Sequence, residues 1–259
     1  MNFVKSLALA AILVAPTFAD SIPSLGCASS FGVLAGAIFN TSGTLNVTGD
    51  DGTTAATKYT NSGTVIASGT NFLDAAPACA STDFVSALTT AEGFTPTVTA
   101  PVGGAPPSAT FTLGSGNTVF SLTNSGFTAG STFTFNDAAD PGGQFIIEMS
   151  ALTISGIPTF SLGAVSPANI LWVVTGDVGI SGAGTWDGSI FSGGNIGISG
   201  AVTYNGGLYA ENNFVHSGSN TVIDELGGQA VPEPSSLGFL AGAIALGFAA
   251  LKFRRQSVA

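Results

Sequence analysis

The chain has very few basic residues. Its 259 residues include 5 Lys and Arg against 15 Asp and Glu. Four of these cations lie near the chain ends, so Lys58 is the only one between residues 20 and 230, where 14 carboxylates leave a net charge of −13. Because phosphate binding depends on Lys and Arg, this composition excludes nucleic-acid binding and disfavours binding of anionic polysaccharide.

Side chains typical of catalytic and metal sites are also scarce. The single histidine, His216, is not accompanied by a serine–histidine–aspartate spacing. The acid pairs Asp50-Asp51, Asp137/Asp140 and Asp224-Glu225 lie among turn residues, as solvated corners usually do. The absence of Arg from the central region also disfavours a polysaccharide lyase, which must stabilise an enolate. We expect no catalytic residue, no metal site and no cofactor.

Only two cysteines are present, Cys27 and Cys79. In an oxidising compartment they can form one disulfide that ties the start of the domain to the segment near residue 80. The alternative is a pair of buried free thiols. Their spacing and the single histidine disfavour a metal or redox site.

Both ends of the chain read as targeting segments. Residues 1–19 have Lys5, an apolar run at Leu7–Ala15 and a small-residue exit, which predicts a signal peptide cleaved before Asp20. At the other end an apolar run, Leu237–Leu251, is followed by basic residues. This order predicts a membrane segment whose basic end faces the cytoplasm.

Residues 231–259 contain Pro232-Glu233-Pro234, the apolar run and the basic end, in that order. With these three parts the segment resembles the PEP-CTERM sorting signal of Gram-negative bacteria that make exopolysaccharide. It implies export through the inner membrane, cleavage near the motif by an exosortase-type enzyme, and delivery to the cell surface or extracellular matrix. The protein would then contact the membrane only through this tail, and residues 20–230 would form the mature domain.

The mature region repeats one motif at a fixed interval. GDVGISGAGTWDG (Gly176–Gly188) is followed by GNIGISGAVTYNG (Gly194–Gly206). A third, weaker copy follows, and ISGIPTF (Ile154–Phe160) is an earlier, partial one. TSGTLNV, NSGTVIA and NSGFTAG echo the Ser-Gly pair further upstream. Stacked copies give a serine column of Ser181, Ser199 and Ser217, and a threonine column of Thr159, Thr185, Thr203 and Thr221.

The period of about 18 residues predicts one coil of a β-solenoid with three faces of about six residues each. Side chains alternate along each strand, so the apolar columns should point inward and the Ser and Thr columns outward. One segment departs from this pattern. Thr82–Glu92 has helical apolar spacing after Ser81, a residue that can cap a helix, and predicts an amphipathic helix beside the solenoid. The Pro- and Gly-rich residues 95–110 predict an extended linker.

Five further motifs occur in order, SFGVLAG (Ser30–Gly36), GDDG (Gly49–Gly52), DPGGQFIIEM (Asp140–Met149), NILWVV (Asn169–Val174) and WDGSIFS (Trp186–Ser192). Together they resemble the bacterial and fungal ice-binding protein family. The resemblance implies an all-β fold, a right-handed, three-faced, discontinuous parallel β-helix with one α-helix packed alongside. It also implies that the segment around Phe31–Val47 packs beside coils distant in sequence.

The resemblance further implies a non-enzymatic protein that adsorbs to ice through one flat face, as an antifreeze or an inhibitor of ice recrystallisation. The ice and water lattice would be its partner, and the Ser and Thr columns supply the candidate contact residues. The alternative from another class is a cell-surface or exopolysaccharide-matrix adhesion protein without ice affinity. In that case Trp186, Tyr204 and Tyr209 are the candidate positions for stacking on sugars of an extracellular polysaccharide.

Overall fold

A computed structural model describes residues 21–55, 59–72, 75–114, 117–123 and 125–224. These residues form 23 β-strands, helix α1 (Ala78–Glu92) and two short 3-10 helices. The strands before α1 are β1 (Phe31–Ala35), β2 (Ile38–Thr41), β3 (Thr44–Thr48), β4 (Asp50–Thr53), β5 (Tyr59–Asn61), β6 (Thr64–Ala67) and β7 (Asn71–Phe72). The strands after it are β8 (Val98–Thr99), β9 (Val102–Gly103), β10 (Ser108–Thr112), β11 (Thr118–Ser121), β12 (Gly126–Thr128), β13 (Thr132–Asn136), β14 (Phe145–Met149), β15 (Leu152–Ser155), β16 (Thr159–Ser161), β17 (Ile170–Val174), β18 (Val178–Asp187), β19 (Ser189–Ser192), β20 (Ile196–Asn205), β21 (Leu208–Ala210), β22 (Asn213–His216) and β23 (Thr221–Asp224).

The strands stack into three faces, named here A, B and C. Face A has the order β8, β11, β14, β17, β19, β21, β1, β4, β7. Face B has the order β12, β15, the first half of β18, the first half of β20, β22, β2, β5. Face C contains β10, β13 and β16, continued by the second halves of β18 and β20 and then by β23, β3 and β6. Across that continuation the rings of Phe160 and Trp186 are 5.2 Å apart.

The fold is the predicted three-faced parallel β-helix. Strands β17 to β23 visit faces A, B and C in turn, and β18 pairs with β20 in the register of the sequence repeat, for example Ile180 with Ile198. Every strand pair among the described residues is parallel except β9 with β10. The period of the repeat is therefore the perimeter of one coil.

The β-helix is discontinuous in sequence, as the family resemblance implied. Strand β1 pairs with β21, β2 with β22 and β3 with β23. The first coils of the chain therefore stack on its last described coil and extend the β-helix beyond it. Helix α1 connects these first coils to β8, the strand at the opposite end of face A.

Face A is buried on both sides, which explains its continuous apolar strands. All five residues of β17 are buried. Trp172 points into the interior of the β-helix, whereas Leu171 and Val173 belong to a second apolar cluster beneath α1. Phe84 of the helix belongs to the same cluster, with its ring centroid 5.6 Å from that of Phe191. The central strands of face A are therefore closed to external partners, whereas the edge strand β8 is exposed.

Helix α1 begins four residues earlier than predicted, at Ala78 rather than Thr82. Pro77 precedes it and no side chain caps its first turn, so the prediction that Ser81 caps the helix is wrong. Asp83 instead accepts a hydrogen bond from the backbone N–H of Cys27, at 2.7 Å. The predicted apolar stripe is confirmed, since Phe84, Leu88 and Ala91 are buried.

Residues 95–110 are not simply a linker. They contain β8, β9 and the first residues of β10. Strand β8 closes one end of face A by pairing with β11. Strand β9 folds back antiparallel onto β10. The prediction of a linker from the proline and glycine content is therefore wrong, because this segment forms an end coil of the β-helix.

Cys27 and Cys79 form a disulfide with Cα atoms 5.8 Å apart. The sequence had left this open against two free thiols. The bond joins the 3-10 helix Gly26–Ser30 to the first turn of α1. It fixes the helix to the entrance of the N-terminal coils.

The predicted signal peptide at residues 1–19 and the predicted sorting tail at residues 231–259 lie outside the described residues, as does Lys58. Within the described ranges, no helix has the length and apolar character needed to span a membrane.

Candidate functional site

The outward side chains of face B form two columns. Along β15, Leu152 and Ile154 are buried whereas Thr153 and Ser155 are exposed, and the other strands of this face alternate in the same way except the edge strand β5. Ser155 pairs with Ser181, and Ser181 with Ser199. This confirms that the predicted serine column stacks coil upon coil and faces outward.

The serine column extends over seven coils. Ser217 follows Ser199, because its backbone N–H donates to the Ile198 carbonyl at 2.8 Å. Ser42 donates to the His216 carbonyl and Ser62 to that of Thr41 in the same way, both at 2.9 Å. Spacings of about 4.8 Å between strands give a row of roughly 29 Å. The column comprises Thr128, Ser155, Ser181, Ser199, Ser217, Ser42 and Ser62.

Each of the serines in the repeated Ser-Gly pairs precedes a glycine because the coils approach closely at that corner. A Cβ at Gly182 would lie 2.8 Å from the Cα of Gly156, and one at Gly200 would overlap the Gly182 backbone. A Cβ at Gly218 would overlap the Gly200 backbone in the same manner. The φ angles of Gly182 and Gly200, +112° and +147°, also favour glycine. The repeated Ser-Gly pair is thus an outward hydroxyl beside a structural glycine.

The second column of face B contains glycines that the fold does not require. Gly126, Thr153, Gly179, Gly197 and Val215 stand side by side across five coils. A Cβ at Gly126 or Gly179 would meet no atom within 4 Å, and one at Gly197 only a carbonyl at 3.8 Å. None of the three has a positive φ. Glycine weakens a strand, so a role at the protein surface explains these three glycines better than a need of the fold does. We call them the bare positions, because no side chain covers the strand there.

The bare positions create a shallow groove of about 400 Å³ on face B. Gly179 and Gly197 form its floor, and Ser181 and Ser199 line one side. None of the outward residues in the described strands of this face is charged. The result is a small, hydroxyl-bearing surface without the features that recognise an anion or a cation.

A ladder of polar side chains borders face B at the corner with face A. The Asn195 amide donates to the Asp177 carboxylate at 2.8 Å, and Asn213 donates to Asn195 Oδ1 at 2.7 Å. The backbone N–H of Asn195 also donates to Asp177, and this bond lowers the pKa of that carboxyl below its usual value. The ladder fixes the spacing of adjacent coils along one rim of the groove.

The threonine column lies on face C, not beside the serines on face B. Thr185 pairs with Thr203, and Thr132 pairs with Thr159. Ser181, Ala183 and Thr185 are successive outward positions as β18 turns the corner between the faces. Beyond Thr203 the hydroxyl column ends, because the next outward positions are Val222, Asn46 and Ile66.

Thr221 does not belong to the threonine column, so this part of the sequence alignment is wrong. Thr203 pairs with Val222, one position later than the repeat requires. Asn220, with φ of 56°, accommodates the additional residue. Thr221 itself is fully buried.

Thr221 instead belongs to a buried hydrogen-bond network around His216. Its hydroxyl donates to the Gly200 carbonyl at 2.8 Å, so His216 Nε2 donates to Thr221 Oγ1, at 2.9 Å. Nδ1 then accepts from the Thr41 hydroxyl at 2.8 Å. Burial lowers the pKa of the imidazole. His216 pairs with Ile198 as a strand residue, and its partners are hydroxyls rather than carboxylates.

The aromatic residues considered for sugar stacking do not reach the surface. Trp186, Tyr204 and Tyr209 are all buried. Tyr209 packs between face A and the helix and donates to the Phe31 carbonyl at 2.6 Å. They pack the core, so they cannot form a carbohydrate platform.

Three acidic side chains of the described ranges, Asp50, Asp83 and Asp177, accept hydrogen bonds from backbone N–H groups. Asp50 accepts hydrogen bonds from Ser30 Oγ and from the Thr70 N–H, both at 2.6 Å. The bond between Asp140 and Asp137 is a main-chain one, from the N–H of Asp140 to the Asp137 carbonyl at 2.9 Å. The expectation of a solvated corner is wrong for Asp51, which is buried in β4. Within these ranges no three His, Cys, Asp or Glu side chains cluster as metal ligands.

Sequence reasoning missed the glycine column and the full length of the serine column. The glycines were visible as the repeated GIS of VGISG and IGISG, with Gly179 and Gly197 one period apart. The contributions of Ser42 and Ser62 could not be placed, since their coils stack on strands from the far end of the described chain.

Comparisons with known proteins agree on the fold. The family profile described as Ice-binding-like matches residues 31–223. An ice-binding protein from an Antarctic biological consortium is 22% identical, with a TM-score of 0.62 over 80% of this chain and 92% of its own. One from the Antarctic ascomycete Antarctomyces psychrotrophicus is 23% identical, with a TM-score of 0.63 over 78% and 98%. A glycosylated one from an Arctic yeast is 20% identical, with a TM-score of 0.59 over 83% and 98%. No curated protein sequence matches the chain.

Proposed function

Since the chain belongs to the Ice-binding-like family, we propose that it is a non-enzymatic protein that adsorbs to ice through face B. The observation that carries this proposal is the serine column, seven outward hydroxyls in register over roughly 29 Å. The structural neighbours, which are ice-binding proteins by name, support the same function.

Face B suits a water lattice because it is rigid and repetitive. Hydroxyls recur about every 4.8 Å along the stack, and positions two residues apart along a strand lie about 7 Å apart. The Ser181 hydroxyl donates to the Ile154 carbonyl at 2.9 Å, which fixes its orientation and leaves its oxygen lone pairs free for water. The glycine column beside it leaves room for a file of ordered water molecules.

Face C is the less suitable surface. Its threonine column ends at Thr203, because the next outward position is Val222, and the last one is Ile66, which is 55% exposed. Thr159, Thr185 and Thr203 therefore form a shorter hydroxyl row on a neighbouring surface. We assign the ice contact to Ser181, Ser199 and Ser217 and not to these threonines.

Two variants on strand β20 distinguish an ice contact on face B from one on face C. In β20, Ser199→Tyr places a ring on face B, whereas Thr203→Tyr places the same ring on face C. We expect the wild type and Thr203→Tyr to shape ice crystals and slow recrystallisation, and Ser199→Tyr to lose both effects. Thermal unfolding should confirm that both variants fold.

Two outcomes of this experiment would change the proposal. Ordinary hexagonal crystal growth with the wild type at every concentration would end the proposal of ice binding. A surface-adhesion role would then be the remaining function, without help from the buried aromatic residues. Loss of activity in Thr203→Tyr alone would move the contact to face C.

We also propose that the protein is exported and sorted to the cell surface or matrix. The support is the order of features at residues 1–19 and 231–259 in the sequence. Mass spectrometry of the extracellular protein should find an N-terminus at Asp20 and a C-terminus near Pro232-Glu233-Pro234. An extracellular protein that retains Leu237–Leu251 would contradict processing of the tail.

A further inference from the structure

The interior of the β-helix turns polar at the coil that ends its N-terminal segment. In the inward column of face A, Leu208 is followed by Val33, then by Asp51 and finally by Asn71. On face B, Tyr59 ends the inward column and stacks on Phe39 with ring centroids 4.6 Å apart. An apolar core thus ends in a polar layer, which we call the end cap, formed by Asp51, Tyr59 and Asn71.

Two oxygens of the end cap lack hydrogen-bond partners. The Tyr59 hydroxyl donates to Asp51 Oδ2 at 2.9 Å and accepts from the Asn71 amide at 3.2 Å. Asp51 Oδ1 and Asn71 Oδ1 remain buried and unpartnered. The Asp51 side chain is 0% exposed. Both unpartnered atoms are acceptors, so they cannot satisfy one another.

The described surroundings provide no counter-charge for Asp51. The described residues contain no Lys or Arg. Burial raises the pKa of Asp51 to about 6, with a further rise from Asp50 and an opposing effect of the Tyr59 hydrogen bond. Asp51 is thus a buried carboxyl group without a cationic partner among the described residues. Such a group is costly unless a cation or a proton neutralises it.

We propose that the end cap binds one hard cation, of which Ca²⁺ is the type, between Asp51 Oδ1 and Asn71 Oδ1. Asp51 and Asn71 are register partners on the adjacent strands β4 and β7. Carboxylate and amide oxygens are the ligands that such ions prefer, and water can complete the coordination. The ion would close the open end of the core.

Thermal unfolding of the purified protein with and without CaCl₂ tests the site, with NaCl of equal ionic strength as the reference. We expect Ca²⁺ to raise the unfolding midpoint at pH 7.5 by about 5–10 °C at 100 times the dissociation constant. The titratable groups facing the ion are Asp51 itself, Tyr59 and the nearby Asp50.

Two variants make the test specific, and a third extends it. Asp51→Asn keeps the shape but removes the charge, so it should fold and lose the Ca²⁺ shift. Asp177→Asn removes an exposed carboxylate elsewhere and should keep the shift. Asn71→Asp adds a second carboxylate and should lower the Ca²⁺ concentration needed for half of the shift.

Terbium provides a second readout. Tb³⁺ bound in the cap should emit when Tyr59 is excited, and excess Ca²⁺ should quench this emission. Asp51→Asn should abolish it. Equal Ca²⁺ shifts in the wild type and Asp51→Asn would overturn the proposal, as would a wild-type unfolding midpoint that does not respond to Ca²⁺.

Discussion

Gly197 offers the sharpest test of the reasoning about face B, because a tyrosine there should raise stability while it abolishes ice activity. It stands in the interior of β20, without a positive φ, where a Cβ would meet only a carbonyl at 3.8 Å. The fold therefore has no need of glycine there. We predict that Gly197→Ala and Gly197→Tyr both stabilise the protein.

The expected gain follows from the strand entropy of glycine. A glycine inside a strand destabilises by roughly 0.5–1 kcal/mol relative to alanine. For a domain of this size, 1 kcal/mol shifts the unfolding midpoint by about 2–4 °C. Each variant should therefore unfold about 1–4 °C higher than the wild type in a thermal scan followed by circular dichroism.

Only the tyrosine should alter ice activity. The methyl group of Gly197→Ala stands no higher than the neighbouring Ser199 side chain, so crystal shaping and inhibition of recrystallisation should persist. The ring of Gly197→Tyr would project above the serine column and hold the face away from the lattice, so both activities should be lost.

Two results would refute this reasoning. A fall of more than about 1 kcal/mol in either variant would show that the fold does need a glycine at this position. Full ice activity in a well-folded Gly197→Tyr protein would show that face B is not the adsorbing surface.

Three further predictions concern stability. Gly200→Ala, at a nearby position on β20, should destabilise by about 2–4 kcal/mol, because φ is +147° and the Cβ would overlap the Gly182 backbone; an unchanged midpoint of denaturant unfolding would contradict this. Replacing Cys27 and Cys79 by serine should cost about 4 kcal/mol for a loop of 52 residues, measured in the same way. Relative to His216→Gln, the wild type should lose stability as the pH falls below about 6.5, because the unfolded imidazole binds a proton that the buried one resists; parallel pH profiles would be the contrary result.

The regular coils of the fold could be predicted from the sequence because each coil corresponds to one copy of the sequence repeat. GISG recurs with the perimeter of one coil, so Ser181 and Ser199 had to stack and the intervening isoleucines had to point inward. The alternation of buried and exposed side chains then placed the serines outside. For these coils, the position of a residue in the repeat determines both the face on which it lies and the direction in which its side chain points.

The pattern failed where one residue was added. His216 pairs with Ile198 in the period of the repeat, whereas Val222 pairs with Thr203 one position beyond it. A shift of one residue turns every following side chain to the opposite side of the strand. Thr221 therefore moved from the predicted outward column into the core. No feature of composition shows that Asn220 adopts a left-handed conformation.

The site was also incomplete in the sequence because three-dimensional neighbours come from both ends of the chain. Ser42 follows Ser217 in the serine column only because β2 pairs with β22. Periodicity compares residues at short, regular offsets and cannot detect a contact between strands at opposite ends of the fold. The family resemblance implied the contact between the segments, but the register came from the structure.

Because the first coils stack on the last, their strands cannot complete their pairing until the end of the described chain has been synthesised. Thr41 meets His216 at a sequence separation of 175 residues. At about 5–20 residues per second, β2 waits roughly 9–35 s for its partner strand. During this interval the edge of the N-terminal coils has no partner to cover it. The protein therefore cannot fold to completion in the order of its translation, and its last described strands close the middle of the molecule.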